Sequence, residues 1–116
     1  MVRILYVHIE APDECGHRAE LDNKVLAIEC IDKFIVGTLL KGLKGQEFRL
    51  MVLPDHPTPI RIRTHTLDPV PYVIYDSTKV LDNPTTFNEK NAEKTQNYVE
   101  KGYTLMDKFI LDVEIR

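Results

Sequence analysis

The chain has 116 residues and a mass of 13.4 kDa, which is one domain at most. With 43% apolar and 28% charged residues, its composition excludes a disordered or membrane-embedded class. A net charge of −3 gives no overall electrostatic reason to expect nucleic acid or an anionic bilayer as partner.

Residues 2–10 read as a strand with Val2, Ile4 and Tyr6 on one face and Leu5, Val7 and Ile9 on the other. Apolar side chains on both faces predict burial on both sides, as in a parallel sheet. Met1 leads straight into this strand, so no signal peptide is expected. Pro12, Asp13, Glu14 and Gly16 then predict a break. A helix is expected over residues 20–43, where Leu21, Val25, Ile28, Ile31, Ile35 and Leu39 make one apolar stripe suited to packing on a sheet. Gly42 and Gly45 mark its stop.

Residues 48–53 predict a second buried strand, closed by Pro54. The stretch 55–68 is Pro-rich and non-helical, and residues 71–75 form a short third strand. Residues 76–86 are a loop, and two short helices are expected at 87–95 and 98–111. Residues 112–116 fit a frayed tail or a small strand. No apolar run approaches the roughly 18 residues of a membrane span. Cys15 and Cys30 are too few for a disulfide scaffold, so reduced thiols and a cytoplasmic location are expected.

Strand, long helix, strand is a βαβ unit, which predicts two parallel strands joined by a right-handed crossover. Ligands of such sheets bind beyond the carboxyl ends of the strands. Asp13 and His17 follow the first strand, and Asp55 and His56 follow the second, so the topology brings both acid–histidine pairs to one edge. His65 lies in the same post-strand loops. Carboxylate oxygens and imidazole nitrogens suit Zn²⁺, Mn²⁺ or Fe²⁺. A single Asp-His pair is ordinarily a pair of polar loop residues; two such pairs with a third histidine point towards metal binding. Neither cysteine has a C-x-x-C partner, so a thiolate zinc site is not expected.

The strings Leu53-Pro54-Asp55-His56-Pro57-Thr58-Pro59 and Arg63-Thr64-His65-Thr66-Leu67-Asp68-Pro69-Val70-Pro71 are more specific. Together with Val7-His8-Ile9-Glu10-Ala11-Pro12-Asp13-Glu14-Cys15-Gly16-His17, they resemble the metal motifs of cofactor-independent phosphoglycerate mutases, in the archaeal-type branch. Phe87-Asn88-Glu89-Lys90 and the stretch from Glu100-Lys101-Gly102-Tyr103 to Phe109 look like that branch's C-terminal end.

The resemblance implies an α/β fold: part of an alkaline-phosphatase-like three-layer arrangement, with a parallel βαβ core and C-terminal helices. It implies two divalent ions in the parent enzyme (Mn, Zn or Mg), one of which this chain could hold alone. Asp13, His17 and His65 would ligate one ion, and Asp55 and His56 would supply part of the other. In the family a serine attacks the phosphate of phosphoglycerate and the phosphoserine returns it to the other hydroxyl. The family's N-terminal strand, nucleophile segment and inserted substrate domain have no counterpart here, so residues 1–116 read as the C-terminal part of the catalytic domain.

The chain's single serine, Ser77, does not match the nucleophile motif and reads as a turn residue, so no catalytic nucleophile is expected. Thr58, Thr64 and Thr66 lie near the ligands without replacing it. His8 and Glu10 read as supporting residues, Cys15 as a bystander, and Arg61 and Arg63 as an exposed pair or a phosphate contact. The expected function is therefore the metal-site portion of a mutase acting on phosphoglycerate, inactive by itself. The alternatives are a piece of another phosphatase or phosphotransferase of that superfamily, and a non-catalytic metal-binding or interaction module. No nucleic-acid or membrane partner is expected, and an open sheet edge would favour a homodimer.

Overall fold

A computed structural model describes residues 3–79 and 85–111. It resolves into two compact units, one reaching to Gly42 and including His56–Asp68, the other comprising Leu43–Asp55 and the chain from Pro69 onward.

In the first unit, residues 3–10 form neither helix nor strand, which corrects the expected strand over 2–10. A strand is held by ladder hydrogen bonds to a neighbour. The described residues provide no such neighbour. Ile4, Leu5, Tyr6 and Val7 are exposed by 60%, 76%, 77% and 51%, so the two-faced apolar pattern has no cover here.

The expected break is also corrected, because Ala11–His17 is a helix, α1. Pro12 falls in its first turn, where proline's missing N–H costs nothing, and Asp13 and Glu14 follow at its positive end. The helix closes with two reverse bonds, Ala19 N–H to the Gly16 carbonyl at 3.2 Å and Glu20 N–H to the Cys15 carbonyl at 2.9 Å. This pattern places Ala19 in the left-handed region at φ 54°.

Next comes a continuous helical run close to the expected 20–43. It consists of α2 (Leu21–Cys30), a π-helical segment (Ile31–Val36) and α3 (Gly37–Gly42). In the π-helical segment the Gly37 N–H reaches the Asp32 carbonyl, one residue farther back than in an α-helix. Leu21, Val25 and Ile28 are exposed, whereas Ile31, Ile35 and Leu39 are half-buried, so the stripe is not the sheet-packing core expected. The return segment His56–Asp68 is irregular, with a turn in which the Pro59 carbonyl accepts from the N–H groups of Ile62 and Arg63.

The second unit carries β1 (Arg49–Val52) and β2 (Val73–Asp76), matching the cores of the expected second and third strands. They pair antiparallel, Arg49 opposite Asp76 and Val52 opposite Val73. Among the described residues there is therefore a two-stranded antiparallel sheet in place of the expected parallel βαβ core.

Arg49 anchors this unit, donating to the Asp76 carboxylate at 3.0 Å and to the Phe109 carbonyl at 3.1 Å. Ser77 continues the ladder. Its N–H donates to the Phe48 carbonyl at 3.0 Å, and its hydroxyl accepts from Phe48 N–H at 2.9 Å. α4 (Glu89–Lys94) starts at Asn88, whose side chain accepts from the Asn91 N–H at 2.8 Å. α5 (Leu105–Leu111) buries Leu105. These two helices lie within the expected 87–95 and 98–111, and residues 112–116 fall outside the described residues.

Candidate metal centre

The site grows out of α1. Asp13 and His17 are four residues apart on one helix, so they share a face instead of lying in a loop. The irregular segment of the same unit brings His56, Thr58 and His65 against that face. His17 Nε2 lies 3.4 Å from Asp13 Oδ1, His65 Nε2 lies 3.1 Å from it, and the two Nε2 atoms are 3.2 Å apart.

Three donor atoms thus form a nearly equilateral triangle. Atoms bound to one cation at about 2.1 Å in tetrahedral geometry stand about 3.4 Å apart. One oxygen and two imidazole nitrogens also match the donor set of Zn²⁺ or Mn²⁺. The residues present therefore fit a divalent ion by both spacing and chemistry.

The backbone prepares His17 for this role. Its Nδ1 donates to the Arg63 carbonyl at 2.8 Å, which leaves the lone pair on Nε2, facing the triangle. Two imidazole nitrogens meeting at 3.2 Å require a proton or a cation between their lone pairs. His56 is the fourth member. Its ring stacks on His65 with centroids 3.5 Å apart, and its Nδ1 lies 4.0 Å from Asp13 Oδ1. Asp13, His56 and His65 can also each offer one donor atom, all within 4.8 Å of one another.

Asp13 is the hub. The Thr58 hydroxyl donates to it at 2.7 Å, and this bond most strongly holds its carboxyl below the ordinary aspartate range. Partial desolvation works the other way, and the charges of His17 and His65 add to the lowering. An ionised carboxylate is the form that ligates a cation.

Of the expected ligands, the first unit brings together Asp13, His17, His65 and His56. Asp55, the residue before His56, belongs to the second unit. His8 and Glu10 face each other at 3.9 Å, and both are exposed. Arg61 and Arg63 are exposed, and Arg63 takes part through its carbonyl. Cys15 is buried in α1.

Two further residues, Gly16 and Lys24, support the site by holding Thr58. Lys24 donates to the Thr58 carbonyl, and a Cβ at Gly16 would come within 2.6 Å of that same oxygen. The sequence signal for them is faint: a threonine two residues after His56, and a glycine inside the acid–histidine string.

The family model of the Metalloenzyme superfamily matches residues 2–112, and the chain belongs to that superfamily. Use of divalent metal follows from that membership. The particular relatives are 2,3-bisphosphoglycerate-independent phosphoglycerate mutases. The chain is 51% identical over 103 residues to phosphoglycerate mutase 2 of Methanothermobacter thermautotrophicus, covering 89% of this chain and 26% of the relative. To the Methanothrix thermoacetophila enzyme it is 43% identical over 108 residues, covering 91% of this chain and 26% of the relative. To a probable mutase of Geobacter sulfurreducens it is 40% identical over 105 residues, covering 89% and 26%. The chain thus spans about a quarter of the length of these relatives. No solved structure matches it significantly.

Proposed function

We propose that this chain is the metal-holding part of a phosphoglycerate mutase that interconverts 3-phosphoglycerate and 2-phosphoglycerate. The observation that carries the proposal is the Asp13–His17–His65 triangle, set in a chain about half identical to a named mutase. Asp13, His17 and His65 would hold one divalent ion, and Asp55 and His56 would supply part of a second site. When bound, such a pair of cations neutralises phosphate oxygens and lowers the cost of bringing a hydroxyl against them.

The chain's own residues prepare that chemistry. Arg63 orients the His17 ring through its carbonyl, and the Thr58 hydroxyl favours the ionised form of Asp13. The reading places residues 1–116 in the C-terminal part of an alkaline-phosphatase-like catalytic domain of three layers. There the exposed apolar residues 4–7 would find strand neighbours in the rest of the polypeptide. The isolated chain is expected to be inactive, because its single serine, Ser77, does not match the nucleophile motif and serves the sheet unit, where it accepts from the Phe48 N–H. We expect this metal site in the cytoplasm, with phosphoglycerate as the substrate of the complete enzyme.

Calorimetric titration with Mn²⁺ or Zn²⁺ tests the site. The chain should bind one ion, and His65→Ala should weaken it at least as much as the 10–100-fold, roughly, that loss of a supporting residue costs. Unchanged affinity in His65→Ala would remove the assignment. An isomerase assay on the purified chain should show no turnover, and robust turnover would overturn the reading of Ser77.

A further inference from the structure

Lys24 stands where a lysine is locally disfavoured. It is the fourth residue of α2, near the helix's positive end, which repels a cation. Its natural partner is Glu20, four residues back. The Glu20 carboxylate is taken by Arg18 at 3.1 Å and by Asn23 at 2.8 Å. Lys24 crosses the unit instead, and its ammonium donates at 2.6 Å to the carbonyl of Thr58, 34 positions away. Ordering so long a side chain sacrifices rotamer freedom, and a neutral carbonyl returns less than a carboxylate would.

The tie ends at the most enclosed point of the first unit. Among the described residues of that unit, the buried ones are Cys15, Gly16 and Thr58. A Cβ on Gly16 would fall 2.6 Å from the Thr58 carbonyl oxygen, 2.8 Å from the threonine methyl and 3.0 Å from the Lys24 nitrogen. Glycine therefore lets carbonyl, methyl and ammonium meet against α1, between Asp13 and His17 in that helix. A carbonyl in so enclosed a place needs a donor, and the ammonium supplies it. Thr58 is thus gripped at its backbone while its hydroxyl donates to Asp13 Oδ1 at 2.7 Å.

We propose that Lys24 is a positioning residue of the metal centre: from α2, outside the ligand set, it holds the Thr58 backbone so that the Thr58 hydroxyl keeps Asp13 in place for the ion. The proposal rests on the metal-site reading of the Asp13–His17–His65 triangle. The sign of its effect separates it from plain electrostatics. An ammonium beside a cation site repels the ion, so loss of the charge alone would tighten binding. Loss of a positioning contact weakens binding. A lysine that only braces the fold would move stability and leave affinity unchanged.

The test uses the full chain and Zn²⁺, with affinity from calorimetric titration and folding from thermal unfolding of the metal-free chain. Lys24→Met keeps the apolar stem and removes the ammonium. It should weaken Zn²⁺ binding by about tenfold, the lower end of what loss of a supporting residue costs. Thr58→Val should weaken it by about 10–100-fold. Because Lys24 acts through Thr58, Lys24→Met should add nothing in a chain that already carries Thr58→Val. The wild type gives a reading that needs no variant. If the tie favours the ion, the bound ion favours the tie by the same factor. Saturating Zn²⁺ should therefore slow acylation of Lys24 by an amine-reactive ester about tenfold. Lys33 and Lys41, exposed on the same helical run, should react at unchanged rates.

Unchanged or tighter binding by a folded Lys24→Met chain overturns the proposal. So does a double variant whose losses simply add. Zn²⁺ bound to the wild type with Lys24 acylated as fast as in the metal-free chain overturns it without any variant. A wild-type chain that binds no Zn²⁺ removes the metal-site reading and this proposal with it, whereas tight binding with an indifferent Lys24 removes the positioning alone.

Discussion

Arg63 contributes to the centre through its backbone. It sits at φ 61°, a conformation most side chains resist, and this turns its carbonyl onto His17 Nδ1. Arg63→Gly should therefore leave Zn²⁺ affinity within about twofold, because glycine adopts that conformation without strain. Arg63→Val should cost about 1–2 kcal/mol of stability and weaken the ion, as calorimetry and thermal unfolding would show. A large loss in Arg63→Gly would instead place the guanidinium in the site.

Asp76 makes a separate prediction about pH. The Thr78 hydroxyl and N–H, followed by Arg49, hold its carboxyl down at about 2 from the usual 3.8. A depressed folded value stabilises the native state above the unfolded pKa, and that contribution disappears as pH falls through the folded one. The melting temperature should fall between about pH 4 and pH 2 for this reason. Asp76→Asn should flatten that part of the profile, and an unchanged acid limb would refute the attribution.

At the scale of elements, α1 decides the most. A seven-residue helix is marginal alone. Proline in its first turn, acidic residues at its start and the two reverse bonds at its end hold it in place. Ala19 occupies the left-handed position of that ending, where glycine is the usual residue. Ala19→Gly should stabilise the chain by about 0.5–1 kcal/mol in denaturant unfolding, since relief of strain outweighs the added freedom of the unfolded chain. Gly16→Ala should do the opposite. Its methyl would meet the Thr58 carbonyl, and about 1–3 kcal/mol is expected to be lost, along with metal affinity.

Across the whole molecule, apolar surface is exposed in consecutive positions. Ile4, Leu5, Tyr6 and Val7 lie uncovered in a segment without ladder bonds, and Leu21, Val25 and Ile28 are exposed on α2. Surface of this kind drives association. Light scattering after size exclusion should show the isolated chain as a dimer or larger, and Leu5→Lys should shift it towards monomer. A wild-type monomer at high concentration would refute this. No helix among the described residues is long and apolar enough to cross a membrane.

Local signals alone determined a good deal. The stretch 20–43 reads as helix from its apolar spacing, the cores of β1 and β2 read from short apolar runs closed by proline and turn residues, and the pairs Asp13–His17 and Asp55–His56, with His65, read as candidate ligands. Relations across long sequence separations were not legible. Residues 2–10 have a strand's pattern, but pairing depends on a partner that the pattern does not contain. The Asp13–His17 pair reads as a loop because proline and glycine punctuate it, yet the same proline suits a helix start once α2 packs beside it.

Thr58 shows the limit most clearly. Its hydroxyl acquires a role only when a carboxylate 45 positions away comes within 2.7 Å, and no local propensity encodes that distance. Sequence determined which chemical groups were available and where helices could run. Tertiary structure alone decided which donor atoms converge, because convergence is set by the packing of α1 against a segment that follows more than forty residues later.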